Sequence, residues 1–305
     1  MVSVTDIQKF FRGHIALHEP LGKYTSMRVG GPAEYYVEPA DRDDAVEIVR
    51  YFEQQHIPFM ILGRGSNLLI SDEGIRGAAI NLEAGLSGIR KEGDFVIAES
   101  GLRLTKFVDF CIQLGYAGVE MLAGIPGTVG GAVVMNAGAH GGETSDHLID
   151  VEAYRGGTVQ RIRKQDAQFS YRHSGFEHDV VLGATFLLPL GDKEELNRRR
   201  RELILRRNET QPLELPNSGS MFKNPSHSHA ARLIEQAGLK GKRIGQAQIS
   251  EKHANFIVNL GDAKAADVYR LIELARRTVY QNAGVYLELE VKLIGFPEEV
   301  VEKTA

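Results

Sequence analysis

The stretch Ala123-Gly-Ile-Pro-Gly-Thr-Val-Gly-Gly-Ala-Val-Val-Met-Asn-Ala-Gly-Ala-His-Gly-Gly-Glu143 lies near the middle of a 305-residue chain. Its glycines, at 124, 127, 130, 131, 138, 141 and 142, leave no room for a long helix, yet Ala132 to Met135 is apolar enough to be buried. Without a Cβ, backbone can approach a ligand closely and adopt positive φ. Pro126 stiffens the turn, so the stretch reads as a shaped surface rather than a slack linker. One reading is main chain wrapped against a flat, phosphate-bearing cofactor. The other is a set of tight turns between short strands, and the stretch alone does not choose.

The chain is too long for one ordinary core and predicts two or three domains. With 43% hydrophobic residues, 25% charged and a formal charge of −4, it has the composition of an ordinary soluble protein. A nucleic-acid partner would call for a basic domain or stripe. The dense basic run, Arg198 to Arg201, is flanked by glutamates and reads as a solvated helix face. The single cysteine, Cys111, cannot form an internal disulfide, which fits a reducing compartment. It falls in an apolar helical pattern, where packing is expected rather than reactivity. Charge within the first dozen residues argues against a signal peptide, and no stretch has the apolar length of a membrane span. The expectation is a cytoplasmic enzyme with neither nucleic acid nor membrane as partner.

Upstream of the glycine-rich stretch, Tyr24-Thr-Ser-Met-Arg-Val-Gly-Gly-Pro-Ala33 leads into a β-rich run, Ala33 to Val37. Asp43 and Asp44 open a helix with Ala45, Val46, Val49 and Phe52 at helical spacing. Pro58 ends it and Phe59 to Leu62 reads as a buried strand, completing a βαβ unit. That strand runs into Gly63-Arg-Gly-Ser-Asn-Leu-Leu-Ile70. A loop at the carboxyl end of such a strand is a common ligand position. Its backbone N–H groups and short side chains suit a pyrophosphate. It is not the Rossmann fingerprint, because Leu68 stands where the third glycine would, and no Walker lysine follows. A plain turn stays open.

Downstream, strands are expected at Ala78 to Leu82 and Phe95 to Glu99, then a helix from Thr105 to Leu114 with the stripe Leu104, Phe107, Val108, Cys111 and Leu114. Strands follow at Ile149 to Tyr154, Thr158 to Ile162 and Val180 to Leu188. A charged helix from Lys193 to Asn208 ends before Pro212 and Pro216. The remainder alternates Gly219-Ser-Met-Phe-Lys-Asn-Pro225, a helix from His229 to Ala237, a strand from Ala254 to Asn259, a helix from Ala263 to Gln281, and a strand from Tyr286 to Gly295. In that last strand Leu287, Leu289, Val291 and Leu293 share one face and Glu288, Glu290 and Lys292 the other. The fold class read from this order is α+β, in three segments: 1–78, 79–193 and 194–305.

Tyr24 to Ala33, Leu62 to Ile70, Gly124 to Gly138, Ser170-Tyr-Arg172, Gly219 to Pro225 and Leu287-Glu-Leu-Glu-Val291 together resemble the UDP-N-acetylenolpyruvoylglucosamine reductase (UDP-N-acetylmuramate dehydrogenase) family, in the family's order over nearly the whole chain. The resemblance implies an FAD-binding region of the vanillyl-alcohol-oxidase type made of two α+β subdomains, 1–78 and 79–193, with 194–305 as a substrate-binding domain. FAD is then expected at Gly63, Arg64, Gly65, Ser66 and Asn67, and at Gly124, Ile125, Pro126, Gly127, Thr128, Gly130, Gly131, Ala132, Asn136 and Gly138. The short run from Tyr171 to Leu188 lacks a longer tyrosine-bearing insertion and so resembles the family's second class.

The implied reaction is reduction of UDP-N-acetylglucosamine enolpyruvate. NADPH loads hydride onto the flavin, leaves, and is replaced by the sugar nucleotide. An enolpyruvyl ether needs hydride at the vinyl terminus and a proton at the carbon bearing the carboxylate, and the protein must supply the second. The resemblance names Ser220 as the proton donor and Arg172 and Glu290 as the other two catalytic positions. Arg172 can grip a carboxylate through its planar fork. Glu290, if protonated at that moment, can donate to the enolate oxygen in a closed, dry site. Strand alternation alone cannot tell Glu290 from Glu288. Tyr171, Lys223, Asn224 and His253 are expected to contact the nucleotide sugar. His140 and His173 read as solvated loop residues, and no cluster has metal-ligand spacing.

Overall fold

The computed structural model describes residues 2–297. They divide into two compact units: unit 1 holds residues 2–17, 35–63 and 77–207, and unit 2 holds residues 18–34, 64–76 and 208–297.

In unit 1 two sheets carry the helices. The first sheet orders its strands His14–Pro20, Pro32–Glu38, Ile75–Asn81 and Phe59–Leu62, the last two parallel. Helix α1 (Val4–Ile7) and helix α2 (Arg42–Gln54) pack on it. The Asp41 carboxylate caps α2 by accepting from the Asp44 N–H, which satisfies an otherwise orphaned donor. Ala45, Ile48, Val49 and Phe52, at helical spacing, are fully buried against this sheet. The expected strand, helix and strand are therefore present, with Ile75–Asn81 inserted between the two strands.

The second sheet is antiparallel throughout, in the order Thr158–Arg163, Leu148–Arg155, Val180–Leu187, Phe95–Glu99 and Ile89–Glu92. Its strand Val180–Leu187 is buried on both faces: Val180 and Leu182 join the core around α2, while Val181, Ala184 and Phe186 join a second core. That second core is built on helix α3 (Leu104–Gln113), whose Leu104, Phe107, Val108 and Cys111 form the buried stripe expected. Leu114, placed on the same stripe by periodicity, is the helix's C-terminal cap and is exposed, because the chain turns away at Gly115. Helix α4 (Val129–Val134) lies inside the glycine-rich stretch and was not anticipated as a helix; Thr128 caps it by accepting from the Gly131 N–H at 3.3 Å.

Helix α5 (Lys193–Thr210) is the expected charged helix. Its basic run does more than meet solvent, contrary to expectation. Arg199 pairs with the buried Glu120 at 3.2 Å and Arg200 with Asp109 at 2.8 Å, while Arg198 pairs with Glu195 and Glu202 of its own helix.

Unit 2 has an antiparallel sheet in the order Asn217–Ser220, Phe256–Asn259, Ala247–Ile249 and Arg243–Ile244. A separate parallel pair joins Lys292–Ile294 to Leu68–Ile70. Helix α6 (Ala230–Gln236) and helix α7 (Ala265–Ala283) close a third core with Met221, Phe222, Ile249, Ile257, Leu271, Ile272 and Leu287. Residue Lys264, which precedes α7, makes no side-chain cap; the Asp72 carboxylate does so instead, accepting from the N–H groups of Ala265 at 2.8 Å and Ala266 at 3.0 Å.

The expected strand from Tyr286 to Gly295 is shorter than its alternation implied. Only Lys292–Ile294 is a strand; before it, Leu289 makes a single bridge to Phe222. Leu287 and Val291 are buried and Glu288 is exposed, so the alternation of faces survives without a continuous ladder partner. Among the described residues no helix is long and apolar enough to cross a membrane.

Candidate active site

In unit 1 the first part of the glycine-rich stretch is held by main chain on both sides of Leu102. The Leu104 N–H donates to the Gly127 carbonyl, Val129 N–H to Leu102 and Gly130 N–H to Ser100, at 3.0, 2.8 and 2.8 Å. A Cβ at Gly130 would stand 2.8 Å from the Ser100 Cβ, and one at Gly63 would stand 2.9 Å from the Thr128 hydroxyl. Both glycines are there for packing. Gly131 is different: it is exposed, and a Cβ there would meet only the Thr128 hydroxyl at 3.6 Å. Bare backbone that neighbouring chain does not fill is open to close approach by a flat ligand. The stretch thus has an open side, with Gly131 and Pro126 exposed, where a flat ligand such as a flavin could be held. Gly124 and Ile125 are half-buried, and Gly124 lies against the Arg207 side chain of α5. Ala132 is buried in the core.

Asn136 and Gly138, both expected at the cofactor, also contact the hairpin that carries Arg172. Ser170 and His173 exchange both backbone hydrogen bonds at 3.1 Å, so Tyr171 and Arg172 form the two-residue tip of a hairpin, with Arg172 at φ +58°. The Asn136 Nδ2 donates to the Ser170 carbonyl at 3.0 Å and to Glu143 at 2.8 Å, and its Oδ1 accepts from the Ser145 N–H. With that residue 1% exposed, its carboxamide serves the fold. The Arg172 guanidinium donates to the Gly138 carbonyl at 2.9 Å and lies over the exposed Tyr171 ring at 4.8 Å. A positive φ on a bulky residue is strained backbone, and such positions cluster at functional sites.

His140, expected in solvent, is half-buried at the tip between Gly138–Ala139 and Gly142–Glu143, with its Nε2 enclosed. Burial, with Arg206 and Arg207 adding to it, lowers its pKa. His173 stands 3.7 Å from Glu177.

In unit 2 the loop from Arg64 to Asn67 packs on the Tyr24 to Ala33 motif. Gly65 has φ +55°, and its carbonyl accepts from the Ser26 N–H at 3.2 Å. Arg64 is exposed and Ser66 half-buried. Asn67 reaches across 223 residues of sequence: its Nδ2 donates to the Glu290 carbonyl at 2.9 Å, and its own carbonyl accepts from the Lys292 N–H.

Ser220 sits at a β-bulge. Asn217 pairs with Val258 and Ser220 with Phe256, so one strand uses an extra residue. Gly219, at φ +74°, absorbs the bend, and its N–H donates to the Asn217 Oδ1 at 3.0 Å. The bulge turns Ser220, half-buried, out of the plain alternation of its strand. The next residues are tied to the Glu290 segment: Glu290 N–H donates to the Met221 carbonyl and Lys223 N–H to the Glu288 carbonyl, both at 2.9 Å. The two glutamates that alternation could not separate are now distinct. Glu288 is exposed and ion-paired to Lys223, whereas Glu290 is half-buried.

Of the expected substrate contacts, Asn224 is exposed, with its Oδ1 accepting from the Ala230 N–H at the start of α6. His253 is half-buried, its ring edge-on to Phe256 at 4.8 Å, and burial lowers its pKa. Sequence reasoning missed Asn255, whose carboxamide bonds both backbone groups of Phe222. Its signal was a lone polar residue entering an apolar strand. Among the described residues, no group of three His, Cys, Asp or Glu could hold a metal ion.

Comparison with known proteins bears on both units. Residues 33–163 match the family described as FAD binding domain, and residues 211–294 match UDP-N-acetylenolpyruvoylglucosamine reductase, C-terminal domain. The chain is 44% identical to the UDP-N-acetylenolpyruvoylglucosamine reductase of Chloroherpeton thalassium, over 98% of this chain and 99% of that one. It is 45% identical to that of Nitrosococcus oceani, over 94% and 97%. The crystal structure of the Thermus caldophilus reductase superimposes with a TM-score of 0.80 at 37% identity, covering 93% of this chain and all of that one. With likeness of sequence and fold over almost its full length, the chain belongs to the UDP-N-acetylenolpyruvoylglucosamine reductase family and is an oxidoreductase with an FAD-binding domain.

Proposed function

We propose that the protein reduces UDP-N-acetylglucosamine enolpyruvate to UDP-N-acetylmuramate with NADPH as electron source, in the cytoplasmic supply of peptidoglycan precursors on which cell wall, cell shape and division depend. The observation that carries this reading is the Gly219 to Lys223 segment: a serine set on a bulge and hydrogen-bonded, through the next residue, to the main chain of Glu290. An oxidase passing electrons to oxygen has no need of such a donor.

The residues that would hold FAD are those of the 63–67 loop and of the 124–132 stretch, with Asn136 and Gly138, and the flavin would supply the hydride. The protein's own task is the proton. A serine hydroxyl is a weak acid, so it must be aimed at a carbon that becomes basic only as the reaction proceeds. Ser220 is aimed by the bulge. Arg172 holds the substrate carboxylate by its fork, presented at the tip of a hairpin whose base is pinned by Asn136. Glu290, protonated at that moment, donates to the enolate oxygen, and Tyr171, Lys223, Asn224 and His253 line the path of the nucleotide sugar. The short run from Tyr171 to Leu188 supports reading the protein as one of the family's second class. The division into 1–78, 79–193 and 194–305, the first two binding FAD and the third the substrate, rests on the order of motifs along the chain; the apolar cores cut across it, since Tyr154, Val180 and Leu182 join the first and Met27, Val29 and Leu69 the third.

The test is anaerobic stopped flow. NADPH should bleach the flavin of wild type and Ser220→Ala alike; adding the enolpyruvyl substrate should restore the wild-type band and restore that of the variant about 10²-fold more slowly. A wild-type protein that reoxidises only in air refutes the reading, and normal turnover by Ser220→Ala removes the serine.

A further inference from the structure

Asn255 stands immediately before the strand Phe256–Asn259 and is 3% exposed. Regular pairing between that strand and Asn217–Ser220 ends at Ser220 and Phe256. Beyond it the Asn255 side chain takes over the ladder. Its Nδ2 donates to the Phe222 carbonyl at 2.7 Å, its Oδ1 accepts from the Phe222 N–H at 3.0 Å, and its own carbonyl accepts from the Met221 N–H at 2.8 Å. A carboxamide here does the work of a peptide group, in both directions at once.

The other edge of the same segment is bonded to residues 288–291. The Met221 carbonyl accepts from Glu290 at 2.9 Å and from Val291 at 3.4 Å, and the Lys223 N–H donates to Glu288. Residues 221–223 are thus a short strip clamped from both sides, with Ser220 at its entrance. Phe222 is 2% exposed, so water cannot replace what Asn255 provides. Loss of either half of the clamp would leave a buried backbone group without a partner, and the strip would shift to find one.

We propose that Asn255 is a positioning residue for proton delivery: by holding Met221 and Phe222 it sets Ser220 in register with the Glu290 main chain. This rests on the reading of Ser220 as proton donor. The Asn255 carboxamide is committed to Phe222 and touches no reacting atom.

The test uses the flavin-loaded protein and Asn255→Asp at pH 8. The substitution keeps the size and the acceptor but sets a carboxylate oxygen against the Phe222 carbonyl. Flavin reduction by NADPH should be unchanged. Reoxidation by UDP-N-acetylglucosamine enolpyruvate should slow about 10²-fold, the scale of a small misplacement of a reacting group, with the effect in kcat rather than KM. Amide hydrogen exchange should accelerate at residues 221–223, a readout that needs no turnover. Asn255→Ser, which can bond only one of the two backbone groups, serves if Asn255→Asp does not fold. Equal slowing of both half-reactions would show a merely structural residue and overturn the proposal, as would faster exchange with unchanged reoxidation. If wild-type flavin is not reoxidised by the enolpyruvyl compound, the functional reading itself fails and this proposal falls with it.

Discussion

Replacing Gly219 and Gly65 by alanine, separately, distinguishes a glycine needed for its positive φ alone from one needed for space as well. Both have positive φ, +74° and +55°, so both variants force an L-residue into the left-handed region, at about 1–2 kcal/mol each. Their surroundings then separate them. A Cβ at Gly219 would have its nearest neighbour at 3.8 Å, the Ser66 carbonyl oxygen, which is ordinary contact. One at Gly65 would stand 2.6 Å from the Tyr24 carbonyl oxygen and 2.7 Å from the Thr25 Cα, both main chain. Backbone cannot rotate aside as a side chain can, and the Ser26 to Gly65 hydrogen bond lies in the path of any shift. Gly219→Ala should therefore lose only the conformational term, and Gly65→Ala that term plus the overlap, about 3 kcal/mol or more. The chain has no tryptophan, so urea unfolding is best followed by far-ultraviolet circular dichroism. Gly219→Ala should also slow reoxidation by the enolpyruvyl substrate while leaving reduction by NADPH intact, because the bulge that aims Ser220 is strained. Equal stability of the two variants would refute the reasoning.

Arg172→Lys should be far from conservative: lysine cannot offer a planar fork while also bonding the Gly138 carbonyl, so substrate turnover should fall about tenfold or more with no loss of fold. Unchanged kinetics would make the arginine a surface residue. Asp72→Ala should destabilise the protein by about 1–2 kcal/mol, because it removes the acceptor for two N–H groups at the start of α7, which has no cap of its own. A stability change below a few tenths would mean that solvent serves equally well. Cys111 is wholly buried, and burial pushes its thiol pKa up to about 12. The thiolate is the nucleophile, so at pH 8 iodoacetamide should leave the native protein unlabelled and label it in urea. Labelling of the native protein would show that α3 opens.

Much of the architecture was legible because it is written in local periodicity. The stripe on α3 and the spacing of Ala45, Val49 and Phe52 on α2 repeat every three or four residues, and a buried face needs nothing more. The terminal strand was misjudged by the same rule. Residues 286–291 alternate in burial, yet only Leu289 finds a bridge partner, since pairing depends on what lies alongside and not on the segment itself. Helix α4 escaped notice because two of its six residues are glycines; tertiary hydrogen bonds to Leu102 and Ser100 hold it in spite of poor propensity.

The functional residues divide in the same way. Sequence by itself determined which groups are present and in what local company: a serine beside a glycine able to bend the chain, an arginine in Ser-Tyr-Arg, two glutamates on one face. It determined the family as well, since motif order survives without coordinates. Only the tertiary structure decided which glutamate is ion-paired to Lys223, that Asn136 grips the Arg172 hairpin, that Asp72 caps a helix some 190 residues away, and that Asn67 bonds the Glu290 carbonyl and Asn255 the backbone of Phe222. The reason is physical. A buried carboxamide or carboxylate must satisfy its hydrogen bonds, but the partner it finds is set by which backbone groups the folded chain leaves unpaired beside it, and that pairing has no fixed separation along the sequence.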